Sequence, residues 1–371
     1  MQIDSIEVFH LGLPLRAPRQ TAAGEVRSLQ TVLVRIASGE TGGWGESSPG
    51  NAPLAGPEWA AGVFGCVRDW LAPGLVGTRV DSAADLEERW APIRGNQFAK
   101  AALDTAWWDL NARLAGKPLH QMLGGEREAV EVGVGFDRME TIEELLAAIA
   151  GAFEAGFARV ELKIRPGWDV SMLNIVRQEF PTQTFHADFD AALNLGHMEM
   201  LCRLDDFSLA MIEQPLAADD LVGHAMVQEA VRTPICLDEA ICTPDQAGMA
   251  LELHSGQYLN IKPGRVGGLT PAMAIHDAAH EACVPCWVGA MPQTAIGTRI
   301  GLALAAKPNF TYPTDFLPPE EHLEHDLAEP LLPVRDDADG PQRVRLWSEP
   351  GIGVEPDPGR LEEFCLARAK L

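Results

Sequence analysis

Three carboxylates and two lysines stand at almost equal intervals in the middle of the chain. They are Lys163, Asp188, Glu213, Asp238 and Lys262, separated by 25, 25, 25 and 24 residues. Oxygen-only ligands offered from three points suit Mg²⁺, which keeps its other positions for water or substrate. No histidine accompanies them at that spacing, which argues against Zn²⁺. One such acid would be no more than a helix N-cap or a loop salt bridge. Three at a constant interval are expected to bind one ion. The lysines, one before and one after the acids, would then lie on opposite sides of it. A lone lysine there could be a surface charge or a phosphate anchor, but Lys262 sits in the ordered run Asn260-Ile-Lys-Pro-Gly-Arg-Val-Gly-Gly268. This arrangement matches proton abstraction α to a carboxylate. The cation would stabilise the enediolate as it forms, and a desolvated lysine beside it would have its pKa lowered towards working pH.

Each landmark closes a short β-forming run, such as Val160-Glu-Leu-Lys163 or Ile235-Cys-Leu-Asp238. A strand, a helix and two short loops occupy roughly 25 residues. The interval is therefore one βα unit, and in a parallel barrel the C-terminal strand ends share one face. A barrel is expected over residues 126–342. Its first strand would be Val130–Val134 and its first helix Thr141–Ala155. Val284–Val288 with Thr298–Ala306 would be a later pair, and Phe310–Tyr312 would close the ring. Ahead of it, Ile3–Leu13 and Leu29–Ile36 read as paired strands joined by an exposed link, Pro14–Val26. Gly42–Glu46 reads as a loop and Ala99–Leu114 as an amphipathic helix. These predict an α+β domain over residues 1–125. Val344–Trp347 and Gly351–Val354 are expected to return to it, so that about 343–371 completes it.

Composition narrows the function. A formal net charge of −24 repels phosphate backbones and anionic lipid, which excludes nucleic acid and membrane surfaces as partners. The seven cysteines are scattered and odd in number, as in a reduced, cytoplasmic protein. Cys283-Val-Pro-Cys286 has metal-ligand spacing but no second pair, and reads as packing. The first residues lack the pattern of a signal peptide, and no long apolar run suggests a membrane span.

Further stretches carry a family resemblance: Gly43-Trp-Gly-Glu46, Ile93-Arg-Gly-Asn96, Trp108-Asp-Leu110, Pro166-Gly-Trp-Asp169, Ile212-Glu-Gln-Pro215 and the Asn260–Gly268 run. With the acids and lysines they resemble the enolase superfamily, within it the muconate-lactonizing subgroup, and more narrowly the o-succinylbenzoate synthases and N-acylamino acid racemases. The resemblance implies a modified TIM barrel, (β/α)₇β, with an N-terminal α+β capping domain. It implies Asp188, Glu213 and Asp238 as ligands of Mg²⁺, with Mn²⁺ a possible substitute, and Lys163 and Lys262 as the acid/base pair. It places Thr21, Gly24, Glu161, Gly289, Met291 and Gln293 around a small carboxylate substrate, in a homo-oligomer. The first activity implied is o-succinylbenzoate synthase, a dehydration in menaquinone biosynthesis. N-acylamino acid (N-succinylamino acid) racemase is the alternative, and a non-catalytic barrel binding Mg²⁺ and a carboxylate is a further one.

Four positions depart from the subgroup: Glu161 replaces the first lysine of Lys-x-Lys, Asp190 replaces an asparagine, Gly135 a serine and Gln293 a glutamate. Residues i and i+2 of a strand share a face about 7 Å apart. Glu161 should therefore point into the barrel beside Lys163 and favour its ammonium form.

Overall fold

The computed structural model describes all residues except 22–23, 55, 137–138, 140, 166–167, 318–321 and 336–339, and leaves the side chains of 19–21 undescribed. The chain opens with strands β1 (Ser5–Thr21), β2 (Gly24–Ser38) and β3 (Thr41–Ser47). β1 and β2 pair antiparallel from Ser5↔Ala37 to Thr21↔Gly24, with a register shift between Pro14 and Arg19. The expected exposed link is thus mostly strand. Its polar sequence hid this because a two-stranded ribbon beyond the sheet is wetted on both faces and needs no apolar alternation.

β3 corrects a second expectation, since Gly42–Glu46 read as loop. Its glycines serve close approach instead. A Cβ at Gly43 would stand 2.3 Å from the Leu110 nitrogen, and one at Gly45 2.4 Å from the Ala102 oxygen. The strand therefore lies directly on the helix Gln97–Leu114. Ile6, Val8, Val34 and Ile36 share a core with Leu103, Ala106 and Leu110 of that helix.

The parallel sheet follows: β4 (Ala129–Phe136), β5 (Val160–Lys163), β6 (Phe185–Asp188), β7 (Ile212–Glu213), β8 (Ile235–Leu237), β9 (Tyr258–Asn260), β10 (Cys286–Trp287) and β11 (Thr314–Asp315). These strands are hydrogen-bonded in the order β10-β9-β8-β7-β6-β5-β4-β11. Phe310 bridges Cys286, while Thr314–Asp315 pairs with Val132–Gly133. Closure is therefore shared between the expected Phe310–Tyr312 run and the residues just beyond it. Below the rim the interior is filled by Met211, Cys236 and Trp287, with Tyr258 and Tyr312 against them. The first helix, Ile142–Ala155, starts at Thr141, whose hydroxyl accepts from the Glu144 nitrogen in a capping box.

The strand β12 (Arg343–Arg345) pairs antiparallel with Ala129–Glu131 of β4. Val344 is therefore packed on the barrel, contrary to the expectation that Val344–Trp347 leaves it. Val344 is fully buried there, and burial outweighs its distance along the chain. Further on, Gly351 bridges Pro118 and the Ile352 nitrogen donates to Asp109. The strand β13 (Cys365–Lys370) pairs antiparallel with β1, giving the first sheet the order β13-β1-β2-β3. Among the described residues, no helix is long and apolar enough to cross a membrane.

Candidate active site

The register of the parallel strands decides which side chains meet. Lys163 is paired with Asp188, and Asp188 with Glu213, so three neighbouring strands end together. Asp238 follows β8 directly, and Lys262 lies two residues beyond β9. Lys163 Nζ sits 2.5 Å from Asp188 Oδ2 and 2.7 Å from Asp190 Oδ1. Lys262 Nζ sits 2.8 Å from Asp238 Oδ2, and Arg265 pairs with the other oxygen of that carboxylate. Each lysine thus holds a different member of the acid set.

Glu161 points inward as expected, but it is nearer than the strand rise. Its Oε1 lies 3.2 Å from Lys163 Nζ, because the two side chains lean towards each other. Its other oxygen faces His186 at 3.4 Å and Arg159 at 3.8 Å.

Burial and like charge set the protonation of the acids. Burial raises the Asp188 carboxyl well above its ordinary range, and the neighbouring Glu213 adds to this more than Lys163 can offset. Glu213 is raised by burial and then by Asp238 and Glu161. Asp238 resists burial and is lowered, because Arg265 and Lys262 outweigh it. Burial also works to lower both lysines, but carboxylates reverse it. Asp188, Glu161 and Asp190 hold Lys163 well above the ordinary lysine value, and Asp238 raises Lys262. Crowded, buried carboxylates of this kind are stabilised by a cation. Glu213 Oε2 is moreover buried without a directed hydrogen bond among the described residues. The donor chemistry therefore fits a divalent ion, but among the described residues the group whose ligand atoms lie within 4.8 Å of one another is Glu161, His186 and Glu213, while Asp188 and Asp238 are held by the two lysines.

Gly289, Met291 and Gln293 line a cavity with Lys262, Glu46 and Ser48. Gly24 opens β2 at the far end of the β1–β2 hairpin and is not in that lining, while the side chain of Thr21 lies outside the described residues. Three participants escaped the sequence reading. Asn260 donates to Glu213 Oε1 at 2.8 Å and accepts from the Gly289 nitrogen at 2.8 Å. Arg265 is the second partner of Asp238. His186 lies fully buried between Glu161 and Glu213. Asn260 and His186 each stand two residues before a landmark, so the two-residue strand repeat would have found both.

The chain matches two family descriptions: "Mandelate racemase / muconate lactonizing enzyme, N-terminal domain" over residues 4–124 and "Enolase C-terminal domain-like" over residues 144–360. It is 38% identical to an o-succinylbenzoate synthase of Geobacillus kaustophilus, covering 98% of this chain and 96% of that one. It is also 38% identical to an N-succinylamino acid racemase of Thermus thermophilus, over 91% of each. A solved enolase superfamily structure from Listeria innocua superposes with a TM-score of 0.94 at 29% identity, covering 100% of this chain and 99% of that one. The strand order and the relatives agree, and the chain belongs to the mandelate racemase / muconate lactonizing enzyme family of the enolase superfamily.

Proposed function

We propose that the chain is an enzyme removing the proton α to a carboxylate, with o-succinylbenzoate synthase as its reaction. The observation that carries this reading is that two lysines approach one set of buried acids from opposite flanks, each paired with a different acid. Asp188, Glu213 and Asp238 would hold Mg²⁺, or Mn²⁺ in its place. When bound, the ion supplies positive charge against the negative charge that grows on the substrate carboxylate. Lys163 Nζ takes the α-proton of a cyclohexadiene carboxylate and returns it to the departing hydroxide, and Lys262 Nζ presents an ammonium to the other face of that ring. Asn260 fixes the Glu213 carboxylate, and Arg265 fixes that of Asp238. Gly289, Met291 and Gln293 border the space beside Lys262.

N-succinylamino acid racemisation is the second reading, favoured by the same opposed lysines, since each could serve one face of the substrate carbon. The test is turnover of the cyclohexadiene carboxylate and of both enantiomers of N-succinylamino acids, with α-proton exchange followed in D₂O. Dehydration is the expected major activity. Absence of α-exchange in every candidate acid would reject the enzyme reading.

The charge around Lys163 predicts a pH effect. Asp190 stands 60% exposed at 2.7 Å from Nζ and favours the ammonium form. A base must be neutral to accept a proton, so Asp190 shifts the onset of activity to higher pH. In Asp190→Asn the Lys163 pKa falls, and the acidic limb of the kcat/KM profile should move to lower pH. A limb that stays in place or moves upward contradicts this.

A further inference from the structure

Below the rim of Lys163, Asp188 and Glu213, the residues two positions earlier on β5 and β6 present Glu161 and His186 to the same interior. His186 is fully buried, with Nε2 3.1 Å from Glu213 Oε2 and 3.4 Å from Glu161 Oε2. Neither His186 Nε2 nor Glu213 Oε2 has a directed hydrogen bond among the described residues. All three atoms lie within 4.8 Å of one another. Metal–ligand bonds of about 2.0–2.2 Å place adjacent ligand atoms roughly 2.9–3.5 Å apart. The two histidine separations fall in that interval.

The surroundings aim these three atoms at one point. Glu213 Oε1 accepts from Asn260, which leaves Oε2 to face His186. Glu161 Oε1 meets Lys163, which leaves its Oε2 on the same side. The far ring nitrogen, His186 Nδ1, lies 3.2 Å from the Tyr312 hydroxyl, the kind of outer contact that orients a ligating imidazole. A Cβ at position 135 would stand 3.2 Å from Glu161 Oε2, so Gly135 keeps that oxygen clear on the β4 side. Arg159 and Lys163 are cations nearby, but each has its own acid: Asp315 for Arg159, and Asp188 and Asp190 for Lys163.

We propose that Glu161, His186 and Glu213 form a second cation site, buried beneath the acid rim and joined to it through Glu213. One imidazole and two carboxylates suit a divalent transition ion such as Mn²⁺, Co²⁺ or Zn²⁺ better than Mg²⁺. The site shares only Glu213 with the ligand set of the proposed function, so the two can fail separately.

Mn²⁺ is the probe of choice, because it competes weakly for the chain's thiols. Full-length protein, stripped with chelator, is titrated with Mn²⁺ and its bound metal counted after dialysis. Two ions per chain are expected, falling to one in His186→Asn and in Glu161→Gln, with thermal melting confirming that each variant is folded. In Asp238→Asn the ion beside His186 should remain, seen as an anomalous-scattering peak between Glu161 Oε2 and His186 Nε2. No peak there in Mn²⁺-soaked wild-type crystals would overturn the proposal. So would equal stoichiometry in wild type and both variants, and His186 would then be a ring held between two carboxylates without a metal. A peak beside His186 with none among Asp188, Glu213 and Asp238 would support this site while rejecting the Mg²⁺ ligand set.

Discussion

Lys262→Ala is expected to lower turnover by roughly 10²–10³-fold, the range lost when one preorganised charge or donor facing the developing charge is removed. The side chain is 13% exposed and its Nζ reaches Asp238 at 2.8 Å. The variant keeps Arg265 on that carboxylate, so the acid is not left alone and the fold should survive. Lys163→Ala should be at least as damaging to dehydration, since it removes the group that both takes and returns the proton. The two variants also separate the chemistries. In a two-base racemase, each variant still exchanges the α-proton of one enantiomer in D₂O and loses exchange of the other. In the synthase, Lys262→Ala loses a charge while Lys163 remains able to abstract. Racemisation surviving in Lys262→Ala at the wild-type rate would reject the opposed pair.

The second large effect is expected on stability. Arg159 is fully buried inside the barrel, paired with Asp315 and 3.8 Å from Glu161. Its guanidinium also donates to the Pro313 oxygen at 3.2 Å and lies over the Trp287 ring at 4.9 Å. Gly133 makes room for it, since a Cβ there would stand 2.4 Å from Arg159 Nε. Arg159→Met removes one partner from a buried charge cluster and leaves Asp315 without its cation, while Glu161 keeps Lys163. Such losses cost about 3–5 kcal/mol, to be read from urea unfolding. Adding Asp315→Asn should recover part of the loss, because one stranded charge is then gone. A loss below about 1 kcal/mol would show that water or rearrangement replaces the guanidinium.

What could be read from the sequence followed periodicity. The interval from Lys163 to Lys262 marks parallel strand ends because each βα unit has a nearly fixed length, and the register places Lys163, Asp188 and Glu213 side by side as that interval requires. The same logic failed where environment overrides composition. Gly43 and Gly45 look like turn residues, yet they stand in a strand pressed on a helix, a contact between segments far apart in sequence. The β1–β2 ribbon was hidden by its polar faces. Val344 was misplaced because chain distance says little about which strand an added strand will join. In the site, the charged residues with regular spacing were visible. His186 and Asn260 were within reach of the two-residue strand repeat, which puts them on the same face as Asp188 and Lys262, but their roles come from which way the neighbouring acids lean. The side of the cavity lined by Gly289, Met291 and Gln293 was indicated by resemblance.

The place of β13 beside β1 has a consequence for synthesis on the ribosome. β1 is an edge strand of the first sheet until residues 365–370 arrive to cover it. At about 5–20 residues per second, the chain between Thr21 and Cys365 takes roughly 20–70 s to make. Throughout that time the nascent protein carries an open β-edge, the kind of surface that pairs with other chains. The parallel strands are complete by residue 315, so the barrel can close while that edge still waits. The strand β13 therefore seals β1, and a ribosome stalled between residues 315 and 365 would leave a closed barrel attached to an adhesive sheet.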